Sequence, residues 1–143
     1  MSHDVSARPR LLTGERPTGP LHLGHLVGSL RNRVRLQHEY DCFFIIADLH
    51  MLTTKNRPED IARVDANART LVLDALSAGI EPDHATFYLQ SLVPEVHQIA
   101  GLLQGITTVS RLERLPALKD MARDANVEMS FALLGYPVLQ AAD

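Results

Sequence analysis

The stretch of sequence that decides the fold is residues 13–25, which read T-G-E-R-P-T-G-P-L-H-L-G-H. It follows a short apolar run and leads into a long helical pattern, so we predict that it lies at a strand–loop–helix junction. Backbone N–H groups and the positive end of the helix dipole converge at such a junction and stabilise an anionic phosphate. Gly14 and Gly19 would allow the chain to turn tightly and to approach a ligand closely.

Two histidines begin the predicted helix. His22 and His25 are three residues apart, so both project from one face of the first turn, where their imidazoles can donate hydrogen bonds to the phosphates of ATP. Gly24 removes a side chain where a nucleotide base or ribose would lie against the helix. The competing interpretation is a glycine-containing turn followed by two surface histidines. Because zinc sites usually need three or four ligands and no cysteine lies nearby, we predict no metal site here.

Strand and helix patterns alternate around this junction. Short apolar runs predict strands over residues 10–13, 42–47 and 85–90, and longer patterns predict helices over residues 21–40 and 58–77. Strands and helices that alternate at this spacing form a parallel sheet, whose ligand crevice lies beyond the carboxyl ends of the strands. The predicted fold class is therefore α/β, with a Rossmann-like parallel sheet and flanking helices.

The second half of the chain is predicted to be mostly helical. Pro94 opens a helix that carries four apolar residues on one face: Ile99, Leu102, Leu103 and Ile106. Residues 110–126 are charged and contain Pro116, which predicts a connecting segment with short helical pieces. Residues 127–143 predict a further helix that is broken at Gly135, Tyr136 and Pro137.

The composition is that of an ordinary globular protein. The 143 residues are 45% hydrophobic and 22% charged with a formal net charge of −3, so any contact with nucleic acid would have to be local. Residues 1–9 are predicted to form a flexible lead without the apolar segment of a signal peptide, and no apolar run is long enough to cross a bilayer. Cys42 stands alone in an apolar run, which predicts a buried, inert thiol. These features predict a cytoplasmic protein.

Polar residues occur at two further places that matter for function. Residues 48–50, D-L-H, follow the second predicted strand, and on their own they favour a helix cap and a half-buried histidine. Residues 136–143 read Y-P-V-L-Q-A-A-D, and a helix would place Tyr136, Gln140 and Asp143 on one face. A carboxylate and an amide on an apolar helix are costly to bury without partners, so they face either water or a ligand.

These motifs together resemble those of the bacterial tryptophanyl-tRNA synthetases, which are class I aminoacyl-tRNA synthetases. H-x-G-H at a helix start is similar to the signature of that class, and the run T-G-E-R-P-T-G-P-L-H-L-G-H-L-V-G-S-L is similar to the opening of the tryptophanyl enzymes. Residues 89–95, 110–114 and 136–143 are similar to further parts of them. The resemblance covers nearly all of residues 10–143, and it implies the first part of a HUP-type catalytic domain with a helical connecting segment.

The resemblance also implies roles for individual residues. His22 and His25 would be catalytic, in contact with phosphate and ribose. The residues implied in ATP binding are Gly14, Arg16, Thr18, Gly24 and Lys119. The residues implied in the amino-acid pocket are His50, Tyr136, Gln140 and Asp143. Asp143 would accept the indole N–H of tryptophan, and phenylalanine, which has no such donor, would leave this carboxylate unpaired.

The implied function is the activation of tryptophan to tryptophanyl-adenylate by ATP, with Mg²⁺ bound to the ATP, followed by transfer of the amino acid to tRNA(Trp). Members of the family form homodimers through this half of the catalytic domain. We therefore expect exposed apolar residues on the helix that Pro94 opens to pair with a second copy of the chain. No membrane partner is implied.

Three alternatives stay open. The pattern Y-P-x-x-Q-x-x-D in residues 136–143 also resembles archaeal and eukaryotic tyrosyl-tRNA synthetases, in which the aspartate meets a phenol hydroxyl. H-x-G-H also occurs in coenzyme adenylyltransferases, although these are not expected to carry the pocket helix. A truncated, non-catalytic module that only binds nucleotide fits the length of the chain.

The chain departs from the family pattern in two respects. Many members carry a second basic residue shortly after the position of Lys119, whereas Asp120 and Met121 follow here and Arg123 is the next cation. Either Lys119 or Arg123 would then approach the ATP phosphates. The second family motif, K-M-S-K-S, cannot be present because no lysine follows Lys119. We therefore expect a fragment that lacks the anticodon-binding domain and that activates tryptophan very slowly or not at all by itself.

Overall fold

The computed structural model describes residues 8–143, and its strands form one three-stranded sheet. The strands are β1 (Arg10–Glu15), β2 (Asp41–Ile46) and β3 (Ala85–Leu89), in the order β1-β2-β3. β1 and β2 pair in parallel, with Gly14 opposite Ile45. The predicted parallel α/β sheet is confirmed, although β1 is two residues longer than predicted.

The predicted lead, residues 1–9, is only partly within the described residues. Residues 1–7 lie outside them. The carbonyl of Pro9 accepts a hydrogen bond from the backbone N–H of Asp41 at 3.0 Å, so Pro9 already belongs to the edge of the sheet.

The chain divides into two compact units. We call the first the sheet unit; it comprises the chain up to Ile46 together with Val64–Tyr88. The second, which we call the helical unit, comprises Ala47–Arg63 and Leu89–Asp143. Among residues 8–143, no helix has both the length and the apolar character that a membrane crossing requires.

The helix after the junction is less regular than the single helix predicted over residues 21–40. It consists of α1 (Leu23–His25), a π-helical turn (Leu26–Leu30) and α2 (Arg31–Leu36) in direct succession. It begins two residues later than predicted because His22 has an extended backbone and acts as the N-cap. π-turns inside helices are rare and often occur at functional sites.

The sheet unit contains one further helix among the described residues, which packs against the sheet. α5 (Val64–Ser77) ends before Gly79, whose φ of 107° is a conformation that favours glycine, so the predicted stop is confirmed. The single helix predicted over residues 58–77 is wrong in one respect, because a separate α4 (Pro58–Ile61), which belongs to the helical unit, precedes α5.

The buried core of the sheet unit consists of Leu30, Cys42, Phe44, Ala75, Ile80 and Ala85. Burial, with a smaller contribution from the charge of Asp41, raises the pKa of the Cys42 thiol, in keeping with the inert thiol predicted.

The helical unit is built from short helices around two small apolar cores. Its elements are α3 (Asp48–Met51), α4, a 3₁₀ turn (Gln90–Leu92), α6 (Pro94–Ile106), α7 (Val109–Leu112), α8 (Pro116–Ala125) and α9 (Phe131–Gln140). The two cores contain Leu112, Leu118, Leu133 and Val138 in one and Val96, Ala100 and Ala142 in the other. The connecting segment of short helical pieces over residues 110–126 is confirmed.

The predicted break at Gly135, Tyr136 and Pro137 is wrong, because α9 continues through Pro137. A proline inside a helix costs about 3 kcal/mol. Leu133 and Val138 lie on the same helix and are 0% and 4% exposed, and burial of two such side chains stabilises by about 3–6 kcal/mol in total. Burial of the apolar face therefore outweighs the hydrogen bond that Pro137 removes.

We predict that Gly14→Ala destabilises the sheet unit. A Cβ at this position would lie 2.5 Å from the carbonyl oxygen of Ile45, a backbone atom that can move only if β1 and β2 separate. The free energy of unfolding should fall by about 1–3 kcal/mol, as measured by urea denaturation. The matched control is Gly28→Ala, at a helical position with no atom within 4 Å of the added Cβ. Equal stability of the two variants would show that the strands do not approach so closely.

Candidate functional site

Two histidines, His22 and His25, cap the start of α1 reciprocally, and we call this pair the histidine cap. The backbone N–H of Gly24 donates to Nδ1 of His22 at 3.1 Å, and the backbone N–H of His22 donates to Nδ1 of His25 at 3.2 Å. The two rings lie with their centroids 4.0 Å apart. His22 is exposed and His25 is half-buried. Two backbone donors that no turn of the helix can satisfy are therefore capped by imidazole nitrogens.

These two hydrogen bonds also determine which ring nitrogen carries the proton. A nitrogen that accepts a hydrogen bond has no proton, so each neutral ring has its N–H at Nε2. The cap therefore leaves Nε2 of His22 and of His25 as donors at the exposed start of a helix. This arrangement can stabilise negative charge, which is the role the sequence predicted for the pair.

Gly24 lies directly against the ring of His22. A Cβ on Gly24 would lie 2.8 Å from Cε1 of His22, so the missing side chain makes room for the imidazole of the cap. The predicted place of a nucleotide base or ribose beside Gly24 stays a prediction. Gly14 is likewise required by the close approach of Ile45, whereas Gly19, at φ 150°, supplies the predicted tight turn.

Three side chains to which the sequence motifs gave no role hold the junction in place: those of Glu15, Arg33 and Asp74. Arg33 donates to the Oγ1 of Thr13, to the carbonyl of Gly14 and to the carboxylate of Glu15, at 3.2, 3.2 and 2.9 Å. The carboxylate of Asp74 on α5 accepts from the backbone N–H of Leu21 at 2.8 Å. The end of β1 and the residue before the histidine cap are thereby fixed by side chains distant in sequence. Of these three residues, only Glu15 could be noticed from the local sequence, because it is a charged residue at the end of β1.

The other residues predicted to bind ATP lie on exposed surface. Arg16 and Thr18 are exposed in the loop after β1. Lys119 is exposed on α8, in the helical unit. Arg123, the alternative to Lys119, forms an ion pair with Asp120 at 2.8 Å. Both cations therefore lie on exposed surface of α8, and the choice between them stays a prediction.

The helical unit contains a buried carboxylate cluster, which we define as Asp143, His50 and Gln90. Oδ2 of Asp143 lies 2.7 Å from Nε2 of His50, and Oδ1 accepts from Nε2 of Gln90 at 2.5 Å. The side chains of His50 and Asp143 are each 8% exposed, and Gln90 is fully buried. Removing an ionised carboxylate from water costs several kcal/mol unless it is well paired, and these two partners offset that cost.

Gln90, to which no sequence motif pointed, uses both ends of its amide. Its Nε2 donates to Asp143, and its Oε1 accepts from the backbone N–H of His50 at 3.3 Å. Asp48 makes a second link between the same two segments, because its carboxylate accepts from the backbone N–H of Ser91 at 3.1 Å. Gln90 directly follows β3, and Asp48 lies two residues after the end of β2. The signal available in the sequence was therefore a polar residue at the end of an apolar run.

The predicted alignment of Tyr136, Gln140 and Asp143 on one helix face is wrong. α9 ends at Gln140, and Asp143 lies beyond it, where the chain has turned. Gln140 is exposed, whereas the ring of Tyr136 packs edge-on against His50 with centroids 4.8 Å apart. The structure therefore brings His50, Tyr136 and Asp143 together and leaves Gln140 at the surface. The carboxylate of Asp143 is paired with protein side chains, whereas the sequence pattern predicted that it faces either water or a ligand.

One polar atom of the cluster has no partner. Nδ1 of His50 is buried and forms no hydrogen bond within residues 8–143. Since a carboxylate is an acceptor, Nε2 of His50 donates to Asp143, and Nδ1 is then an acceptor in the neutral ring or a second donor in the charged ring. A buried polar atom without a partner costs about 1–3 kcal/mol. Such an atom beside a carboxylate with remaining lone pairs is a place where a polar ligand group binds favourably.

A separate open cavity of about 380 Å³ lies in the helical unit, between α3, α6 and α9. Its polar lining residues are Thr53, His97 and Gln104, and the remainder is mostly apolar. None of the residues that the sequence predicted for the site lines it.

A parallel sheet whose first strand runs into a glycine-containing loop and a capped helix start is typical of nucleotide-binding α/β proteins. A family model described as "tRNA synthetases class I (W and Y)" matches residues 5–143. The chain belongs to this family of class I tRNA synthetases. The resemblance inferred from the sequence motifs is thus confirmed at the level of the family.

Individual relatives and solved structures agree with this assignment. The chain is 57% identical over 135 residues to a tryptophan–tRNA ligase of Treponema pallidum, covering 94% of the chain and 40% of that protein. It is 49% identical over 144 residues to the corresponding ligase of Chlamydia caviae, covering 97% and 42%. The structure superimposes with a TM-score of 0.84, at 35% identity, on tryptophanyl-tRNA synthetase from Campylobacter jejuni complexed with ADP and tryptophan, covering 94% of this chain and 41% of that one. The chain thus spans about two fifths of the length of these relatives.

We predict that Gln90→Met destabilises the helical unit. Methionine has nearly the shape of glutamine but removes the donor to Oδ1 of Asp143 and the acceptor for the backbone N–H of His50. The free energy of unfolding should fall by about 1–3 kcal/mol, as measured by urea denaturation. Gln98→Met, at an exposed position of α6, is the matched control and should leave stability within about 0.5 kcal/mol of the wild type. An unchanged unfolding free energy for Gln90→Met would rule out a structural role for the amide.

Proposed function

We propose that the whole protein to which this chain belongs activates tryptophan with ATP and transfers it to tRNA(Trp). The observation that carries the proposal is the buried carboxylate cluster, in which an acceptor for one N–H donor is held rigidly inside an apolar unit. The names of the close relatives support the same choice, and so does the Campylobacter structure, whose title gives ADP and tryptophan as ligands. ATP would bind as its Mg²⁺ complex.

The proposed reaction needs no nucleophilic side chain. An oxygen of the tryptophan carboxylate attacks the α-phosphorus of ATP, the bond from this phosphorus to the bridging oxygen of the β-phosphate breaks, and pyrophosphate leaves with the electron pair. A ribose hydroxyl at the end of the tRNA then attacks the carbonyl carbon of tryptophanyl-adenylate, and AMP leaves. Catalysis is then a matter of positioning and of stabilising phosphoryl charge.

The proposed role of the histidine cap is to donate hydrogen bonds from Nε2 of His22 and His25 to the phosphates. Its geometry supports this role, because both Nδ1 atoms are occupied by backbone N–H groups and the rings cannot turn over without losing the cap. Gly14, Arg16, Thr18 and Gly24 would form the surrounding loop, and Lys119 would supply a cation. The phosphate donors are thus preorganised before substrate binds.

The proposed role of the buried carboxylate cluster is recognition of the amino acid. Each carboxylate oxygen of Asp143 has two lone pairs, so the carboxylate can accept the indole N–H while it keeps His50 and Gln90. Tyr136 would border the ring, and Nδ1 of His50 would meet a polar group of the ligand or a water molecule. Gln140, exposed here, would contribute only if the last turn of α9 were rearranged when the amino acid binds.

We further propose that the protein is a cytoplasmic homodimer that pairs through α6. The face predicted to hold Ile99, Leu102, Leu103 and Ile106 is divided in the structure. Leu103 packs against the cores, whereas Ile99, Leu102 and Ile106 are 44%, 75% and 81% exposed. Three exposed apolar residues along one helix form a patch of the kind that pairs with another protein surface.

We predict that His22→Asn separates the cap from the catalytic role. Asparagine is a favoured N-cap residue, and its Oδ1 can accept the hydrogen bond that Nδ1 of His22 accepts, but it has no donor at the position of Nε2. Tryptophan-dependent ATP–pyrophosphate exchange by the whole protein should lose about a hundredfold in kcat, with a smaller change in the KM for ATP. His22→Ala and His25→Ala should lose a similar factor.

The control for these variants is His97→Ala, which removes an exposed histidine from α6. It should retain the wild-type kcat. If His22→Asn also retains it, the histidine acts only as a helix cap, and the assignment of phosphate contacts is overturned.

We predict that Asp143→Ala weakens tryptophan selectively over an analogue without the N–H donor. The loss of a buried, charge-assisted hydrogen bond costs about 1.5–3 kcal/mol, which is roughly ten- to a hundredfold in kcat/KM. The wild type should therefore prefer tryptophan over benzothienylalanine, in which sulfur replaces the N–H, by about that factor, and the variant should lose the preference.

The comparison of tryptophan with benzothienylalanine distinguishes a contact between Asp143 and the indole N–H from a purely structural role of Asp143. If Asp143 only holds His50 and Gln90 in place, the variant weakens both substrates by the same factor, and the proposed contact with the indole is excluded. If the wild type activates tyrosine in preference to tryptophan, the same aspartate holds a phenol hydroxyl and the protein is a tyrosyl enzyme.

A further inference from the structure

A second group of chemically active side chains lies in the sheet unit, away from the histidine cap in sequence. His38 follows α2, and Glu81 and His84 lie in the loop before β3. Each offers one ligand atom, and these atoms all lie within 4.8 Å of one another. Nδ1 of His84 is 3.1 Å from the carboxylate of Glu81, and the rings of His38 and His84 meet edge to face with centroids 5.1 Å apart. The proposed synthetase reaction uses none of the three.

The loop that carries Glu81 is fixed beside His38 by a buried amide. The side chain of Gln37 is fully buried. Its Nε2 donates to the carbonyl of Gly79 at 3.0 Å, and its Oε1 accepts from the backbone N–H of Glu81 at 2.8 Å. The neighbour of His38 in sequence thus holds both ends of the turn that precedes His84. The backbone positions of the three side chains are therefore set before any ligand binds, although His38 is more than 40 residues from the other two.

Two imidazoles and one carboxylate form a ligand set for a divalent transition metal. Zn²⁺ binds histidine nitrogen and carboxylate oxygen at about 2.0–2.2 Å, and sites with two histidines and one glutamate leave a fourth position for water. Ligand atoms of a tetrahedral site with such bonds lie about 3.3 Å apart. His84 and Glu81 already meet this spacing, and the exposed ring of His38 can approach by a change of rotamer. Mg²⁺ and Ca²⁺ prefer oxygen ligands, so this set favours Zn²⁺.

The other explanation for the cluster is an ordinary surface ion pair. Exposed pairs of this kind contribute about 0–1 kcal/mol and need no third member. It does not account for the second imidazole, nor for the buried amide that positions the loop.

We propose that His38, Glu81 and His84 form a surface site that binds one Zn²⁺ ion, with a fourth position open to water. The site lies outside the residues assigned to ATP and tryptophan. Zn²⁺ bound there would join the end of α2 to the loop before β3 and would stabilise the sheet unit against unfolding.

The test is a titration of the 143-residue chain, freed of metal by EDTA and dialysis, with Zn²⁺ alone. Isothermal titration calorimetry should show one site, and His38→Ala, Glu81→Gln and His84→Ala should each weaken its affinity by about tenfold or more. Co²⁺ in place of Zn²⁺ should give the visible absorption of a tetrahedral complex, and this should be lost in the double variant His38→Ala/His84→Ala. Because all three side chains are exposed, these variants are expected to fold.

Two control variants remove histidines that lie outside the proposed site. His97→Ala and the double variant His22→Ala/His25→Ala should bind Zn²⁺ as the wild type does. The proposal is overturned if none of the three ligand variants changes the affinity. It is equally overturned if binding is lost in the His22→Ala/His25→Ala variant, because Zn²⁺ then binds at the histidine cap.

Discussion

The helical unit depends on how one buried carboxylate is satisfied. Asp143 is 8% exposed, and its two oxygens meet His50 and Gln90 at 2.7 and 2.5 Å. An ionised carboxylate at this depth is tolerated only with partners of this kind. The partners come from α3 and from the turn after β3, so the carboxylate connects three segments that are far apart in sequence. The same interaction positions a ring nitrogen of His50 that has no partner among residues 8–143.

This arrangement changes the physical argument for recognition of the amino acid. An aspartate without partners would face its ligand because burial alone is costly, whereas both oxygens of Asp143 already have hydrogen-bond partners before a ligand binds. Rigid acceptors discriminate well, because a ligand without the matching donor leaves the acceptor under-satisfied and gains nothing from rearrangement. Gln90 then acts as a positioning residue, which holds Asp143 at one end of its amide and the backbone of His50 at the other.

The sequence predicted the order of the elements and the motif residues well, because both depend on local information. Apolar runs predicted β2, and the H-x-G-H pattern predicted a helix start with two histidines on one face. Contacts between distant residues were not predictable in the same way. Nothing local in the sequence links Gln90 to Asp143 or Arg33 to the end of β1, since these pairs are separated by 53 and about 20 residues. The continuation of α9 through Pro137 was also missed, because its cause is the burial of Leu133 and Val138 in the tertiary structure. Gly24 illustrates a related limit, because the absence of a side chain there could be read from the sequence, whereas its contact with the ring of His22 could not.

The central claim is that Asp143 accepts the indole N–H of tryptophan inside the buried carboxylate cluster. The most direct measurement is a ¹H–¹⁵N spectrum of tryptophan labelled at the indole nitrogen and bound to the whole protein. We expect the indole proton to shift downfield on binding, to exchange slowly with water, and to lose both properties in the Asp143→Ala variant, which has no acceptor at this position. A bound indole proton that keeps the chemical shift and the exchange rate of free tryptophan would contradict the claim.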